Sequence, residues 1–495
     1  MRPMKLWNTL TRQEEELAPL VPGKVTLYTC GPTVYNRVHI GNLRAFVFYD
    51  VLRRTLERDG LEVKHVMNVT DVDDKTIRGS IAEKKPLREF TNHFLELFLK
   101  DLDALAIERP HIMPRATDPD AIEDMVALVE KLLAKGSAYR APDGSIYFKI
   151  SAFPPYGRLA HLDLAGLEAG KGGRVAADDY DKENPQDFAL WKAWDEKDGP
   201  VFWETRLGKG RPGWHLECSA LAMRHLGETI DLHAGGVDLI FPHHENEIAQ
   251  SEASTGKPFV RMWLHNEHLL IGGQKMSKRL NNFYTLTDLE GLARARPREL
   301  RFALLKVPYR QRLNFQVSYD PQGKPVRFDA IEEARSSLER IDNFRRALKT
   351  RAGGPASPAA QASLEKAQRG FGEALHRDLN TADALGQVFT LINELNKEDF
   401  DQAFAQKVDA TLLDFDRVLA ILEREEAGLS ADERRLLDER EAVRREAQAR
   451  KAAGDKPAMK AAFARSDELR NELKARGIEV EDRPDGSTGW RRIGR

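Results

Sequence analysis

At 495 residues the chain is too long for one hydrophobic core and should divide into roughly three or four domains. A hydrophobic fraction of 41% is ordinary for a soluble globular protein, and no run approaches the ~20 apolar residues that cross a bilayer. A net charge of −2 gives a weak global field, so any nucleic-acid surface must be a local patch. The first residues, through Glu14, Glu15 and Glu16, lack the apolar region of a signal peptide, and the chain reads as cytosolic. Cys30 and Cys218, the only two cysteines, cannot build a disulfide framework. Unrelated buried thiols, a metal site and a redox pair remain open, with a cytosolic setting disfavouring the disulfide.

In chain order, Lys24 to Cys30 is a β-rich run ended by Gly31-Pro32, and a helical pattern follows Gly41-Asn42 with Phe46, Val47, Leu52 and Leu56 inside. A second strand is expected at Val63 to Val69 and a second helix around Phe94, Leu95, Phe98 and Leu102. Strand–helix–strand at this spacing predicts a parallel sheet with crossover helices, whose ligands sit at the carboxyl ends of strands, where Cys30 falls. From about Asp118 to Gly208 the texture changes to a helix, Ala121 to Leu133, and then aromatic and Gly/Pro-rich stretches. This reads as an insertion, with the sheet pattern resuming near Gly213 and running to about Leu270. Beyond Val326 the chain turns helical: Leu385, Val388, Phe389, Ile392 and Leu395 form an apolar stripe with Thr381 as its expected N-cap, and Gly353 to Pro358 is an interhelical loop. Glu433 to Lys456 reads as a solvated helix, and Gly477 to Arg495 as short strands and turns.

Seven of the 13 histidines lie between His215 and His268: His215, His225, His233, His243, His244, His265 and His268. His243 and Glu247, four apart, would share one face of a helix within reach of one ion. With the two cysteines they make a Cys-Cys-His-Glu zinc site an even alternative to plain packing, and such donors suit zinc better than magnesium or calcium. His39-Ile40-Gly41-Asn42 lies at a strand-to-helix turn, where amides can hold phosphate and Gly41 lets backbone approach a nucleotide. Lys275-Met276-Ser277-Lys278 follows Gly272-Gly273 and could bring two lysines onto a triphosphate. Alone, these tetrapeptides read equally as a satisfied loop histidine and an exposed basic turn. Together, at the start and end of a split α/β domain, they describe a class I aminoacyl-tRNA synthetase.

The run Cys30-Gly31-Pro32-Thr33-Val34-Tyr35 into His39-Ile40-Gly41-Asn42 resembles the first signature of the cysteinyl-tRNA synthetase family. Asn68 to Lys75 (NVTDVDDK), Asn184 to Lys192 (NPQDFALWK), Gly213 to Ser219 (GWHLECS) and Asp238 to Glu247 (DLIFPHHENE) resemble further blocks in the family's order. Asp378 to Thr381 and Trp490-Arg491-Arg492 are similar too, so the resemblance spans nearly the whole chain.

The resemblance implies an α/β fold. A Rossmann-like parallel-sheet catalytic domain (1–117 and 209–270) would be split by a connective insertion (118–208). A KMSK and stem-contact region (271–325), a tRNA-binding helical bundle (326–430) and an anticodon-recognition domain (431–495) would follow. It implies zinc on Cys30, Cys218, His243 and Glu247, and ATP held by Gly31, Thr33, His39, Gly41, Asn42, Gly236, Asp238, Lys275 and Lys278. His39, Asn42, Lys275 and Lys278 would carry catalysis, and Thr70, Trp214 and His233 would surround the cysteine substrate. Magnesium is expected with ATP, tRNA(Cys) is the implied partner, no membrane is involved, and a monomer is the family expectation. Four zinc ligands leave open whether the ion becomes five-coordinate with substrate or Glu247 moves aside.

The family's usual KMSKSLGN stands here as KMSKRLNN, Lys275 to Asn282. Both lysines are kept, Arg279 adds a donor, and Asn281 replaces a glycine whose left-handed backbone asparagine tolerates, so activity is expected to survive. A few residues around Ser318 to Lys324 read as an extra loop without catalytic consequence. Two rivals share parts of this pattern: a cysteine ligase of mycothiol biosynthesis, and a tRNA-binding relative with a decayed ATP site. The C-terminal extension argues against the first, and the retained His39, loop lysines and zinc ligands against the second.

Overall fold

The fold was described from a computed structural model covering residues 3–162, 187–280, 282–423, 429–482 and 488–492. It forms two compact units, Met1–Leu422 and Glu423–Arg495.

The first unit is built on a four-stranded parallel sheet. Its strands are β1 (Lys24–Thr29), β2 (Glu62–Met67), β3 (Ile230–Gly236) and β4 (Val260–Asn266), in the spatial order β4-β3-β1-β2. β3 is buried along nearly its whole length, as a strand covered on both faces must be. Pairing of β1 with β3 sets Leu27 against Leu232, Tyr28 against His233 and Thr29 against Ala234. Asp231 reinforces it: one carboxylate oxygen accepts from Thr26 N and Oγ1, both at 2.8 Å, and the other from Leu20 N. Helix α1 (Ile40–Arg58) crosses from β1 to β2 and buries Leu43, Phe46, Val47, Leu52 and Leu56. The expected strand at Val63 to Val69 is shorter than its apolar run. Val69 and Thr70 continue only as single bridges to Arg115 and Thr33.

The insertion carries a five-stranded antiparallel sheet of Ala138–Arg140, Ile146–Phe148, Phe188–Ala193, Gly208–Pro212 and Trp203–Thr205. The Asn184-Pro185-Gln186 part of one sequence block lies outside the described residues. Helix α2 (Trp214–Leu226) begins where the sheet pattern was expected to resume, and the next strand of the parallel sheet starts at Ile230. Helix α3 (Glu245–Thr255) then ties insertion to sheet. The Glu245 carboxylate accepts from the amides of Gly157, Leu159 and Ala160 at 2.8–2.9 Å, and Asn246 accepts from the Tyr156 hydroxyl.

After the sheet come helices Asp329–Leu348, Pro358–His376, Thr381–Leu395 and Gln402–Leu419. The Gly353–Pro358 stretch joins the first two, as expected. Thr381 is not the N-cap. Asn380 caps the helix by accepting from Asp383 N at 3.0 Å, while the Thr381 hydroxyl donates to Leu305 O at 2.7 Å. The residues near Ser318 form a hairpin of Val317–Tyr319 and Pro325–Phe328. In the second unit the helix expected over Glu433 to Lys456 is present as Ala431–Ala452, and after Gly454 (φ 75°) a further helix that was not expected, Lys456–Ala475, follows. They share a small core of Leu436, Leu437, Leu469 and Leu473 with the hairpin Ile478–Asp482/Thr488–Arg492. Among the described residues no helix is long and apolar enough to cross a membrane.

One buried ion pair fastens the helical region to the sheet. Arg301 is fully buried and donates to Asp50 of α1 at 2.5 Å, to Leu419 O at 2.6 Å and to Leu105 O at 3.0 Å. Asp50 would keep Arg54 Nε at 2.8 Å and the Glu108 amide at 2.8 Å, so loss of Arg301 removes charge-assisted hydrogen bonds without leaving the carboxylate unpaired. Arg301→Leu is therefore expected to destabilise the first unit by about 1–3 kcal/mol, read as a lowered denaturation midpoint. A change below about 1 kcal/mol would refute the assignment of Arg301 as a buried tie.

Candidate metal centre and nucleotide cavity

The carboxyl ends of β1 and β3 open into a cavity of about 510 Å³. Its lining brings together Cys30, Gly31, Thr33, His39, Gly41, Asn42, Thr70, Trp214, Cys218, Gly236, Asp238, His243 and Lys275, residues from five separate sequence blocks. Three of the expected set are placed otherwise: Glu247 is fully buried and, like His233, not among the lining residues, and the third is Lys278. His233 is fully buried and is not among the lining residues. It stands behind the cluster, with Nε2 2.9 Å from Glu247 and its ring stacked on Trp263 at 4.5 Å. The Lys278 side chain lies outside the described residues, as does Asn281.

At one side of the cavity, one ligand atom from each of Cys30, Cys218, His243 and Glu247 lies within 4.8 Å of the others, and all four residues are buried. His243 lies in the helical turn Ile240–His244 that runs directly into α3, with only Phe241 departing from helical backbone, so His243 and Glu247 share one face and Nε2 comes within 3.0 Å of Glu247 Oε1. Trp214 stacks on His243 at 4.4 Å while remaining 42% exposed. A second set, Cys30, His233, His244 and Glu247, overlaps the first. His244 contacts Cys30 Sγ at 3.2 Å and continues through His265 to the Thr9 hydroxyl, each link 2.8 Å.

Burial pushes the Cys30 thiol up to about 11, and burial with the neighbouring Cys30 sulfur holds Cys218 well above the usual thiol range. Burial opposes ionisation of His243 and Glu247 as well. The facing Cys218 and Glu247 nevertheless raise His243 to about 10, and His233 and His243 hold Glu247 down to about 2. Both Glu247 oxygens face imidazole nitrogens, Oε1 at 3.0 Å from His243 Nε2 and Oε2 at 2.9 Å from His233 Nε2. Two buried thiols beside an imidazole and a carboxylate form a donor set that a divalent cation such as zinc would suit.

On the opposite wall, His39 caps α1. Its Nδ1 accepts from Asn42 N at 3.1 Å, and Asn42 Oδ1 accepts from His39 N at 3.2 Å, a reciprocal capping box. The acceptor role of Nδ1 puts the proton on Nε2. A Cβ on Gly41 would collide with the Met276 methyl, so the two nucleotide motifs meet at a glycine. Asn282 braces the basic loop, accepting from Ser277 N at 2.8 Å and donating to Lys275 O at 3.3 Å. Lys275 and Asp238 are exposed in the cavity, and Arg279 is exposed on the loop.

Residues 16–319 match the family model described as the tRNA synthetases class I (C) catalytic domain, and residues 370–423 match the DALR domain. A cysteine–tRNA ligase of Protochlamydia amoebophila is 43% identical over 494 residues, covering 98% of this chain and 97% of that protein. One from Solibacter usitatus is 44% identical over 496 residues, covering 99% of each. The chain belongs to the cysteine–tRNA ligase family. Methionyl-tRNA synthetase of Mycobacterium tuberculosis, solved with methionyl-adenylate, shares the fold of this ligase-family chain. It superposes with a TM-score of 0.56 at 16% identity, covering 80% of this chain and 88% of that one.

Sequence reasoning passed over several residues of the site. Glu217 lies inside the quoted Gly213 to Ser219 block, is 2% exposed, and accepts from the Thr70 hydroxyl, while burial pushes its carboxyl up to about 8. Asn68 donates to Thr70 at 3.1 Å and accepts from Gly31 N at 2.9 Å. Arg44, buried five residues past His39, donates to the carbonyls of Glu267, His268, Pro308 and Gln311 and so holds a cavity wall. Charged side chains between apolar neighbours were the available signal.

Burial lowers His39 from 6.5 to about 4. The depressed value contributes stability above pH 6.5. That contribution is lost as the pH falls toward 4, because the unfolded chain binds the proton first. Imidazole nitrogen NMR is expected to show His39 neutral, with the proton on Nε2, at pH 6 and above. A cationic ring at pH 6 would refute the cap assignment.

Proposed function

We propose that the chain activates L-cysteine with ATP, forming cysteinyl-adenylate and pyrophosphate, and then transfers cysteine to the 3′-terminal adenosine of tRNA(Cys). One observation carries this reading. Cys30, Cys218 and His243 share a single cavity with the His39–Asn42 turn and Lys275. A thiol-selective corner and a triphosphate wall thus lie within one substrate's reach, in a chain 43–44% identical to cysteine–tRNA ligases.

The donor set fits zinc, which Cys30, Cys218, His243 and Glu247 would hold. When bound, that ion supplies a soft, cationic contact that favours a thiolate over a hydroxyl, and so cysteine over serine. Trp214 and Thr70 enclose the substrate, and His233 braces Glu247 from behind. Gly31, Thr33, Gly236 and Asp238 take the nucleoside side of ATP, with Gly41 admitting backbone close to the phosphates. The cysteine carboxylate attacks the α-phosphorus, the bond from that phosphorus to the bridging oxygen breaks, and pyrophosphate leaves with the electron pair. His39 donates from Nε2 without titrating, Asn42 presents the first helical amides, and Lys275 and Lys278 offset the charge that moves onto pyrophosphate. Magnesium accompanies ATP.

In the second step the 2′-hydroxyl of the terminal ribose attacks the adenylate carbonyl and AMP leaves. The helical region 326–430 and the segment 431–495 would take the body and anticodon of the tRNA. The same reading has the chain act as a monomer in the cytoplasm.

Zinc-loaded protein is expected to catalyse cysteine-dependent ATP–pyrophosphate exchange, with serine weaker by roughly a thousandfold or more. Cys218→Ser is expected to lose both metal and exchange. Absence of exchange from folded, zinc-loaded protein would sink the reading. Lys275→Ala should lower kcat for exchange about 10²–10³-fold and leave calorimetric binding of cysteine within about twofold. A loss confined to cysteine binding would remove Lys275 from the phosphate site.

A further inference from the structure

We infer that Arg44 is a positioning residue for the activation step: it seats the small sheet that carries Lys275 on the helix that presents His39 and Asn42, so that both phosphate-binding elements keep one spacing. The inference rests on the reading of the cavity as an ATP site.

Arg44 lies just past the first turn of α1 and is 2% exposed. Its Nη1 donates to Glu267 O at 2.9 Å and to His268 O at 2.6 Å, and its Nη2 donates to Pro308 O at 3.3 Å and to Gln311 O at 2.5 Å. Among the described residues these four bonds all end on backbone. A planar guanidinium fixes directions as well as distances, so a buried fork aimed at four carbonyls sets where those segments lie.

The four carbonyls are not scattered. Glu267 and His268 lead into the strand Leu269–Ile271, and Pro308 and Gln311 lead into the strand Leu313–Phe315. These strands pair in parallel, Leu269 with Leu313 and Ile271 with Phe315, so Arg44 holds the starting ends of both. Two backbone bonds close the same end, Glu267 N to Tyr309 O at 2.8 Å and Leu313 N to His268 O at 3.2 Å, and Tyr309 stacks on Phe48 of α1 at 4.3 Å. After the reversal at Gly272-Gly273, the strand Gln274–Lys275 returns antiparallel toward that clamped end, with Lys275 opposite Leu270. Met276 follows, buried, with its methyl against Gly41. Gly41 and Arg44 are three residues apart and share a face of α1. The sheet that carries Lys275 is thus mounted twice on one helix, whose first turn holds His39 and Asn42. A shift on the order of 1 Å in a group that stabilises charge can lower a rate by about a hundredfold, and loss of the fork frees the sheet to make one.

The test is a double-mutant cycle of cysteine-dependent ATP–pyrophosphate exchange on zinc-loaded full-length protein, with Arg44→Gln, Lys275→Ala and the pair. Arg44→Gln alone is expected to lower kcat about tenfold or more, with the calorimetric affinity for cysteine changed less than about twofold. In the Lys275→Ala background the same substitution should lower kcat less than about threefold, because the lysine that Arg44 positions is gone. An arginine that served only the stability of the fold would lower both backgrounds by one factor. Equal factors in the two backgrounds, or no loss in either, overturn the inference and leave the cysteine and ATP reading intact. Should Arg44→Gln fail to fold, Arg44→Lys, which keeps a cation without the planar fork, goes through the same cycle with the same expectation. Wild-type protein without exchange overturns both.

Discussion

The parallel pairing of β1 with β3 is the constraint on which the rest of the site depends. These strands lie about two hundred residues apart in the chain, and their register sets Tyr28 beside His233 and carries Cys30 to the edge where the second half of the site assembles. Long-range pairing of this kind is entropically expensive to close and gains nothing until it is complete. Asp231 makes the register specific, because its carboxylate satisfies two donors on Thr26 and one on Leu20, and a one-residue slip would strand it in a buried position. The insertion then hangs from the same frame through Glu245, whose three accepted amides belong to the insertion while Glu247, two residues on, faces the cluster. A single short segment therefore anchors the insertion and places Glu247 in the buried cluster.

The two walls of the cavity have opposite electrical characters. On one side, burial raises two thiols while His233 and His243 hold the Glu247 carboxyl low, a buried donor set suited to a cation. On the other, His39 is neutral, spends Nδ1 on its own helix, and points its remaining donor capacity at the space where phosphate charge would build. An imidazole that titrated near neutrality would exchange roles with pH. This one does not, because the helix cap holds the acceptor nitrogen and burial disfavours the cation.

Much of this was legible in the sequence, for identifiable reasons. The first two sheet strands announced themselves as short apolar runs near Gly31-Pro32 and Asn68-Val69, and three members of the buried cluster, Cys218, His243 and Glu247, by the crowding of histidines between His215 and His268. What escaped detection depended on contacts that no local pattern encodes. Thr381 was chosen as a cap over Asn380 because either side chain serves, and only the nearby Leu305 carbonyl takes the threonine out of contention. The charged stretch after Glu433 was read as one solvated helix. Its leucines are sparse, and they form a core only when paired with Leu469 and Leu473 of a second helix. Arg301 and Arg44 carried no sequence signal of their own, because the backbone carbonyls that hold them come from segments far away in the chain.

The meeting of Gly41 with Met276 links two motifs that are more than two hundred residues apart in the gene. A Cβ at the first position would meet the methionine's terminal methyl at 2.5 Å and the His39 ring at 3.0 Å. The methyl is the far end of a flexible side chain and can swing aside, so a replacement at position 41 would be felt first as a repacked Met276 against the loop that carries Lys275.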